Sequence, residues 1–89
     1  MSRINHVTIR VKKENNYGYA PYPVVGTKIA GEIDSFMGGI TRGVRTDEYG
    51  EAELEWYGNH DLKAIFVKGG TYEGCWEDGD HDTIVIPRR

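Results

Sequence analysis

The chain of 89 residues has a single cysteine, Cys75, so no internal disulfide can form. Small extracellular domains of this length often depend on several disulfides. The cysteine count therefore favours a reducing compartment. Cys75 also has no histidine or basic residue beside it in the sequence, and we predict a structural rather than a reactive role for it.

Long hydrophobic runs and basic runs are missing as well. No stretch approaches the ~18 apolar residues of a membrane-spanning helix, and the first residues lack the apolar core and cleavage site of a signal peptide. The formal net charge is −3, whereas a nucleic-acid partner favours a basic face. We therefore predict no membrane and no nucleic-acid partner. We expect a cytoplasmic location unless a partner carries the chain elsewhere.

Helical periodicity is also absent. Twelve glycines and three prolines divide the sequence into short pieces, none of which keeps a period of 3.6 residues for three turns. Instead, apolar and acidic residues alternate after Gly50, with Ala52, Leu54 and Trp56 on one face and Glu51, Glu53 and Glu55 on the other. Such a strand needs an apolar layer on one side and water on the other, which a half-exposed antiparallel sheet provides.

Turns at intervals of about 8–12 residues predict an all-β fold of the sandwich type. The predicted strands cover residues 4–13, 24–33, 40–46, 51–57, 62–68, 71–76 and 82–87. We predict that residues 1–89 form one seven-stranded antiparallel β-sandwich, transthyretin-like or immunoglobulin-like. The apolar positions expected in its core include Val7, Ile9, Val11, Ile29, Leu54, Trp56, Phe66, Ile84 and Ile86.

Two motifs set the order of these strands and turns. One is Thr46-Asp47-x-x-Gly50-x-Ala52-x-Leu54, and the other is Asp78-Gly79-Asp80-x-x-Thr83-Ile84-x-Ile86. The pattern resembles the transthyretin-like (prealbumin-like) and carboxypeptidase-regulatory-like β-sandwiches and the related Cna-B-type immunoglobulin-like domains. The resemblance covers nearly the whole chain. It implies an accessory module that presents loops to a partner, stiffens a stalk or packs beside a catalytic domain.

The resemblance also offers one catalytic alternative. Transthyretin-like 5-hydroxyisourate hydrolases use a histidine on the first strand, an arginine, a second histidine and a C-terminal Tyr-Arg-Gly-Ser. By resemblance, His6, Arg45 and His81 could take the first three roles. The terminal motif is missing, and His6 falls on the outward parity of its strand. We therefore predict a non-catalytic protein without a cofactor.

Four tyrosines mark a candidate partner-binding surface. Tyr17, Tyr19 and Tyr22 lie in the loop after the first strand, and Tyr49 lies in a turn expected at the same end of the sandwich. Loop tyrosines give a large contact area at a low entropy cost and also suit stacking on carbohydrate. We predict that these residues bind a protein or carbohydrate partner. The alternative is that the rings fold down and cover the edge of the sandwich.

Phe36 and Met37 are a second candidate contact. They stand beside Gly38-Gly39 in an otherwise polar connection, and a pair of apolar side chains at such a place is either an exposed contact or a plug over the core.

The end of the sandwich opposite the tyrosines, where Phe36 and Met37 are expected, should also gather acidic and histidine side chains. Asp78, Asp80, His60 and His81 could together bind a divalent cation. The alternative is that the aspartates shape turns and stay solvated, and we predict no metal site.

Overall fold

The computed structural model describes residues 3–15 and 17–87, which form eight strands in two four-stranded sheets and, within those ranges, no helix. In chain order the strands are β1 (Ile4–Lys13), β2 (Tyr22–Pro23), β3 (Lys28–Ile33), β4 (Val44–Arg45), β5 (Glu51–Tyr57), β6 (Leu62–Val67), β7 (Gly70–Trp76) and β8 (His81–Ile86). The all-β sandwich class predicted from the sequence is confirmed.

The first sheet is organised around β1. One edge of β1 pairs antiparallel with β5, with Val7 opposite Leu54 and Ile9 opposite Ala52. The other edge pairs with β8 in parallel, with Val11 beside Ile84. The last two residues of β1 pair with both β8 and β2, which places β2 on the same edge as β5.

The second sheet has the order β4-β3-β6-β7, and all its pairs are antiparallel. The short strand β4 is supplemented by two buried threonines. Thr41 Oγ1 accepts a hydrogen bond from Gly31 N at 2.9 Å, and Thr46 Oγ1 accepts one from Thr27 N at 3.0 Å. Side-chain oxygens thus satisfy amides of the β3 region that the short strand leaves without a ladder partner.

The core lies between the two sheets. Alternate residues of β1 and β5 face residues of β3 and β6, as the period-two pattern predicts. The buried cluster comprises Val7, Ile9, Val11, Ile29, Ala52, Leu54, Trp56, Leu62, Ile65, Val67, Trp76 and Ile84. Both tryptophans also find a hydrogen-bond acceptor: Trp56 Nε1 donates to the carbonyl of His60, and Trp76 Nε1 donates to the carboxylate of Asp82, each at 2.8 Å.

Three details differ from the sequence prediction. An eighth strand, β2, arises from a two-residue pairing inside a proline-containing loop, too short to leave a periodic signal. The β1–β8 pair is parallel, whereas only antiparallel strands were expected. The segment expected to pair from residue 24 begins its ladder only at Lys28, and the segment expected over 40–46 is reduced to Val44–Arg45 and an isolated bridge at Ile40.

Phe66 does not belong to the core, contrary to the prediction. Ile29 pairs with Val67 and Gly31 pairs with Ile65, so Ile65 and Val67 point inward and Phe66 points outward, where it is half-buried. Register shifts at Leu62–Ala64 and at Glu32–Ile33 break a uniform alternation along the apolar run of β6. Ile86 is half-buried and packs against the core cluster rather than inside it.

The strand connections gather at the two ends of an elongated molecule, which measures 49 × 22 × 17 Å along its principal axes. Residues 34–39, 58–61 and 77–80 lie at one end, which we call the acidic end, whereas residues 40–43 run back along β3. Residues 14–15, 17–27, 46–50 and 68–69 lie at the other, which we call the tyrosine end.

We expect Leu54→Ala to lower the free energy of unfolding by about 2–5 kcal/mol, because Leu54 is fully buried between the sheets and its loss leaves a cavity. Urea unfolding followed by tryptophan fluorescence measures this change. Glu53→Ala, at the neighbouring outward position of β5, is the control and should stay within about 0.5 kcal/mol. Equal effects of the two substitutions would contradict the assigned inward and outward faces.

We expect Gly31→Ala to destabilise the fold by about 1–3 kcal/mol through overpacking. A Cβ atom at Gly31 would lie 2.7 Å from Leu62 Cδ1 and 3.4 Å from Leu54 Cδ1, and both leucines are fully buried. The test is a double-mutant cycle with Leu62→Ala, which removes the clashing methyl groups. The cost of Gly31→Ala should shrink in that background, and an unchanged cost would exclude the steric cause.

Candidate partner-binding surfaces

Asx turns shape the tyrosine end. The Asn15 side chain accepts a hydrogen bond from Tyr17 N at 2.7 Å, and the Asp47 carboxylate accepts hydrogen bonds from Tyr49 N at 2.8 Å and Glu51 N at 3.0 Å. A short polar side chain that bonds to the backbone two residues on is the usual way in which such turns are fixed. The tyrosines are thus carried on turns that asparagine and aspartate define.

Gly50 brings the two tyrosine-bearing segments together. It has a φ of 79°, and a Cβ atom there would lie 2.7 Å from the carbonyl oxygen of Val11 and 3.0 Å from Pro23 Cβ. Only glycine fits a positive φ at so close an approach. Tyr49, which precedes Gly50, and Tyr22, which precedes Pro23, are therefore carried on backbone segments in direct contact.

The four tyrosines are exposed. The exposed fractions are 83% for Tyr17, 74% for Tyr19, 64% for Tyr49 and 46% for Tyr22. The rings do not fold down over the core, which was the alternative to a contact role. A concavity of about 340 Å³ beside Tyr19 is lined by Glu14, Asn15, Gly18, Tyr19 and Pro21. Whether these residues bind a partner stays a prediction.

Phe36 and Met37 are exposed too, at 102% and 88%, so they do not plug the core end. They occupy the tip of a turn in which Gly38 N donates to the carbonyl of Ser35 at 3.0 Å. Asp34 N donates to the carbonyl of Asp61 at 2.8 Å, which ties the base of this loop to the neighbouring connection.

The aspartates in the motif before β8 are engaged in turn structure. Asp78 accepts hydrogen bonds from His6 N at 2.8 Å and from the Arg3 guanidinium at 3.3 Å. Asp80 accepts one from Glu77 N at 2.7 Å, and the backbone of Gly79 donates to the carbonyl of His6. The geometry thus assigns Asp78 and Asp80 to holding the β7–β8 connection against the start of β1.

These contacts stabilise the charged form of Asp78. The hydrogen bond from His6 N and then the one from Arg3 hold the pKa of Asp78 below its ordinary value. The same cause, hydrogen bonds from the amides of Glu51 and Tyr49, lowers the pKa of Asp47.

We expect the stability supplied by Asp78 to disappear in acid. Because its pKa is lowered in the folded state, the unfolded chain binds the proton more readily, so this contribution is complete above about pH 4 and is lost as the pH falls through the folded-state pKa. Unfolding free energies measured between about pH 6 and pH 2 should fall less steeply for Asp78→Asn than for the original chain. An identical slope would contradict the assigned contact.

In the part of the chain that the structure describes, a different set of residues could hold a metal ion. Candidate ligand atoms of Asp61, Cys75 and Glu77 lie within 4.8 Å of one another, and all three residues are exposed. Desolvation and then the negative charges of Asp61 and Glu77 raise the pKa of the Cys75 thiol, which therefore holds its proton. The sequence predicts a structural role for Cys75 in a strand and does not specify which face of the sheet it occupies. Its alternation with the buried Trp76 is the signal that marks it as exposed.

The residues cast as a hydrolase site are not brought together. His6 lies on the outer face of the first sheet, where its ring nitrogens are 3.5 Å from Glu53 Oε1 and 4.0 Å from Glu55 Oε2. Arg45 lies in β4 of the second sheet, and its guanidinium donates to the carbonyl of Gly26 at 2.8 Å. His81 lines a concavity of about 340 Å³ that includes neither of the other two residues. The prediction of a non-catalytic protein stays a prediction.

Comparison with solved structures finds a similar fold in a pilin. A structure of GBS52, the minor pilin of the Gram-positive pathogen Streptococcus agalactiae, superposes with a TM-score of 0.51 at 13% identity. The alignment covers 94% of this chain and 43% of the pilin chain, so this chain spans less than half of the pilin. At that identity the likeness shows a shared β-sandwich fold alone.

No protein-family profile matches the sequence, and no curated protein is significantly similar to it. The specific transthyretin-like, carboxypeptidase-regulatory-like or Cna-B-type assignment therefore stays a prediction. Within residues 3–15 and 17–87, no helix has the length and apolar character that crossing a membrane requires.

Proposed function

We propose that this domain is a non-catalytic accessory module whose tyrosine end binds a partner protein. One observation carries the proposal: Tyr17, Tyr19 and Tyr49 present largely exposed rings on turns that other residues already shape. Asn15 and Asp47 supply the hydrogen bonds of these turns and Gly50 supplies the positive φ, so the turns do not depend on the aromatic rings. Exposed tyrosine side chains with few rotatable bonds are typical of recognition surfaces.

A carbohydrate partner is the second candidate, and the concavity beside Tyr19 favours it. Its lining combines the aromatic ring of Tyr19 with the side-chain amide of Asn15. An aromatic face for stacking next to groups that bond hydroxyls is the chemistry that a sugar ring requires.

A structural stalk domain remains the alternative without a binding site. The elongated shape of 49 × 22 × 17 Å and the fold shared with a minor pilin support it. Such a domain would tolerate the loss of every exposed tyrosine.

We expect Tyr17→Ala/Tyr19→Ala to abolish partner binding while the free energy of unfolding changes by no more than about 0.5 kcal/mol, as at ordinary surface sites. Binding is measured by affinity capture from the source cells followed by titration of the captured protein, and in parallel on a glycan array. The array separates the carbohydrate partner from the protein partner.

Tyr57→Ala is the matched control for this experiment. Tyr57 is 63% exposed, nearly the same as Tyr49, but it ends β5 beside the acidic end. This variant should bind as the original chain does. A double tyrosine variant that unfolds more easily would show that the rings are structural, and one that binds normally would leave the stalk domain as the surviving function.

A further inference from the structure

Phe36 and Met37 form what we call the apolar tip, and the tip stands on a rigid support. Gly38 N donates to the carbonyl of Ser35, and Ser35 Oγ donates back to the carbonyl of Gly38, both at 3.0 Å. Ile33 N closes the base of the loop by donating to the carbonyl of Gly39 at 2.8 Å. The turn is therefore ordered before anything binds, which reduces the entropy cost of docking.

Negative charge surrounds the apolar tip. Asp34 precedes it, Asp61 is hydrogen-bonded to the base of its loop, and Glu77 lies close to Asp61. In the described part of the chain none of these three carboxylates forms an ion pair with a lysine or arginine. The tip is thus an exposed apolar surface bordered by carboxylates that form no ion pair with a described lysine or arginine, which we call the acidic rim.

The opposite end of the second sheet carries the complementary surface. A concavity of about 510 Å³, which we call the basic concavity, is lined by Val24, Val25, Lys28, Arg45 and Lys68 together with Gly26 and Thr27. Its volume lies within the range of about 300–1,000 Å³ that is usual for ligand pockets. Its lining includes no acidic residue.

The three basic side chains of this concavity come from adjacent strands. Lys28 is directly opposite Arg45, and Lys68 follows Val67, the partner of Ile29, so it ends beside Lys28. Neighbouring like charges repel one another across a sheet. None of the three forms an ion pair with a described residue, and Val25 between them is 61% exposed. An acidic partner with an apolar centre would neutralise the three basic side chains and bury Val25.

The apolar tip of one molecule cannot reach the basic concavity of the same molecule. Strand β3 begins at Lys28, in the lining of the basic concavity, and ends at Ile33, directly before the loop of the apolar tip. Its six residues span about 20 Å, so the two surfaces lie at opposite ends of the strand. Two complementary surfaces at opposite ends of one chain define a heterologous contact, which repeats from copy to copy.

We propose that the apolar tip docks into the basic concavity of a second copy of this chain, so that the domains associate head to tail into open chains. Phe36 and Met37 enter the concavity against Val24, Val25 and the alkyl stems of Lys28 and Lys68. Asp34, Asp61 and Glu77 then face the basic rim. This inference goes beyond the proposed function, because it involves a different surface and does not depend on the tyrosines.

The contact is small and therefore weak. A docked phenylalanine buries about 150–250 Å², and interfaces well below about 1,200 Å² in total belong to transient complexes. We expect a dissociation constant of roughly 0.1–1 mM. Because charged rims contribute, raising the salt concentration from about 0.05 M to about 0.5 M should weaken the association about tenfold.

Sedimentation equilibrium of the full chain, from about 10 µM to about 1 mM, tests this proposal. The average mass should rise with concentration past that of a dimer, because the contact does not close. A chain that stays monomeric at the highest concentration and lowest salt would overturn the proposal, and so would a mass that saturates at the dimer.

Two variants, each of which keeps only one of the two surfaces, test whether the tip docks into the concavity. Phe36→Ser/Met37→Ser removes the tip and leaves the concavity, whereas Lys28→Glu/Lys68→Glu removes the concavity and leaves the tip. Each variant alone should be monomeric. An equimolar mixture should form a complex of one copy of each and should not extend further. Self-association of the Lys28→Glu/Lys68→Glu variant alone would indicate contact between two tips and would overturn the proposal.

Matched controls separate this effect from general changes in charge or folding. Lys12→Glu/Arg42→Glu makes the same change in net charge outside the concavity, and Tyr57→Ser removes an exposed aromatic ring outside the tip. Both should associate as the original chain does, and circular dichroism confirms that each variant is folded. Tyr17→Ala/Tyr19→Ala should also keep its self-association, so a failure here and a failure of the tyrosine surface are told apart.

Discussion

The distance between the two sheets is the constraint on which the rest of the structure depends. Leu54 of the first sheet and Leu62 of the second meet over Gly31, where a Cβ atom would lie 2.7 Å from a leucine methyl group. This contact lets the sheets close tightly around the fully buried side chains of β1. Because the sheets close in this way, the turns lie at the two ends of the sandwich, and exposed loop residues such as Tyr17, Tyr49, Phe36 and Met37 are found there.

The two ends carry different chemistry for physical reasons. At the acidic end, carboxylates accept backbone hydrogen bonds that hold the connections to the start of β1, as Asp78 does with His6 N. At the other end, adjacent strands of the second sheet place Lys28, Arg45 and Lys68 side by side. Exposed apolar side chains stand near these charges, Phe36 and Met37 at one end and Val25 at the other. Because both ends combine charged groups with exposed apolar side chains, we expect partners to bind at the ends.

The order of the strands and loops predicted where the tyrosines lie in the fold but not whether their rings are exposed. That Tyr17, Tyr19 and Tyr49 would share one end followed from strand order, because successive connections alternate between the ends of a sandwich. Their exposure did not follow, because a tyrosine on a loop is equally able to cover an edge. The basic concavity had no sequence signal at all: Lys28, Arg45 and Lys68 are far apart in the chain, and only the register of β3 with β4 and β6 brings them together.

The sequence by itself determined the strands with strict alternation, β1 and β5, and the inward faces of both, because a period of two is a local property of the chain. It also determined the turns at Asp47 and Gly50, where side chain and φ act within a few residues. Only the tertiary structure decided that Phe66 faces out, that β8 runs parallel to β1, and that Asp61, Cys75 and Glu77 converge. Each of these depends on which strands become neighbours and in which register, and those are set by packing between distant segments rather than by local pattern.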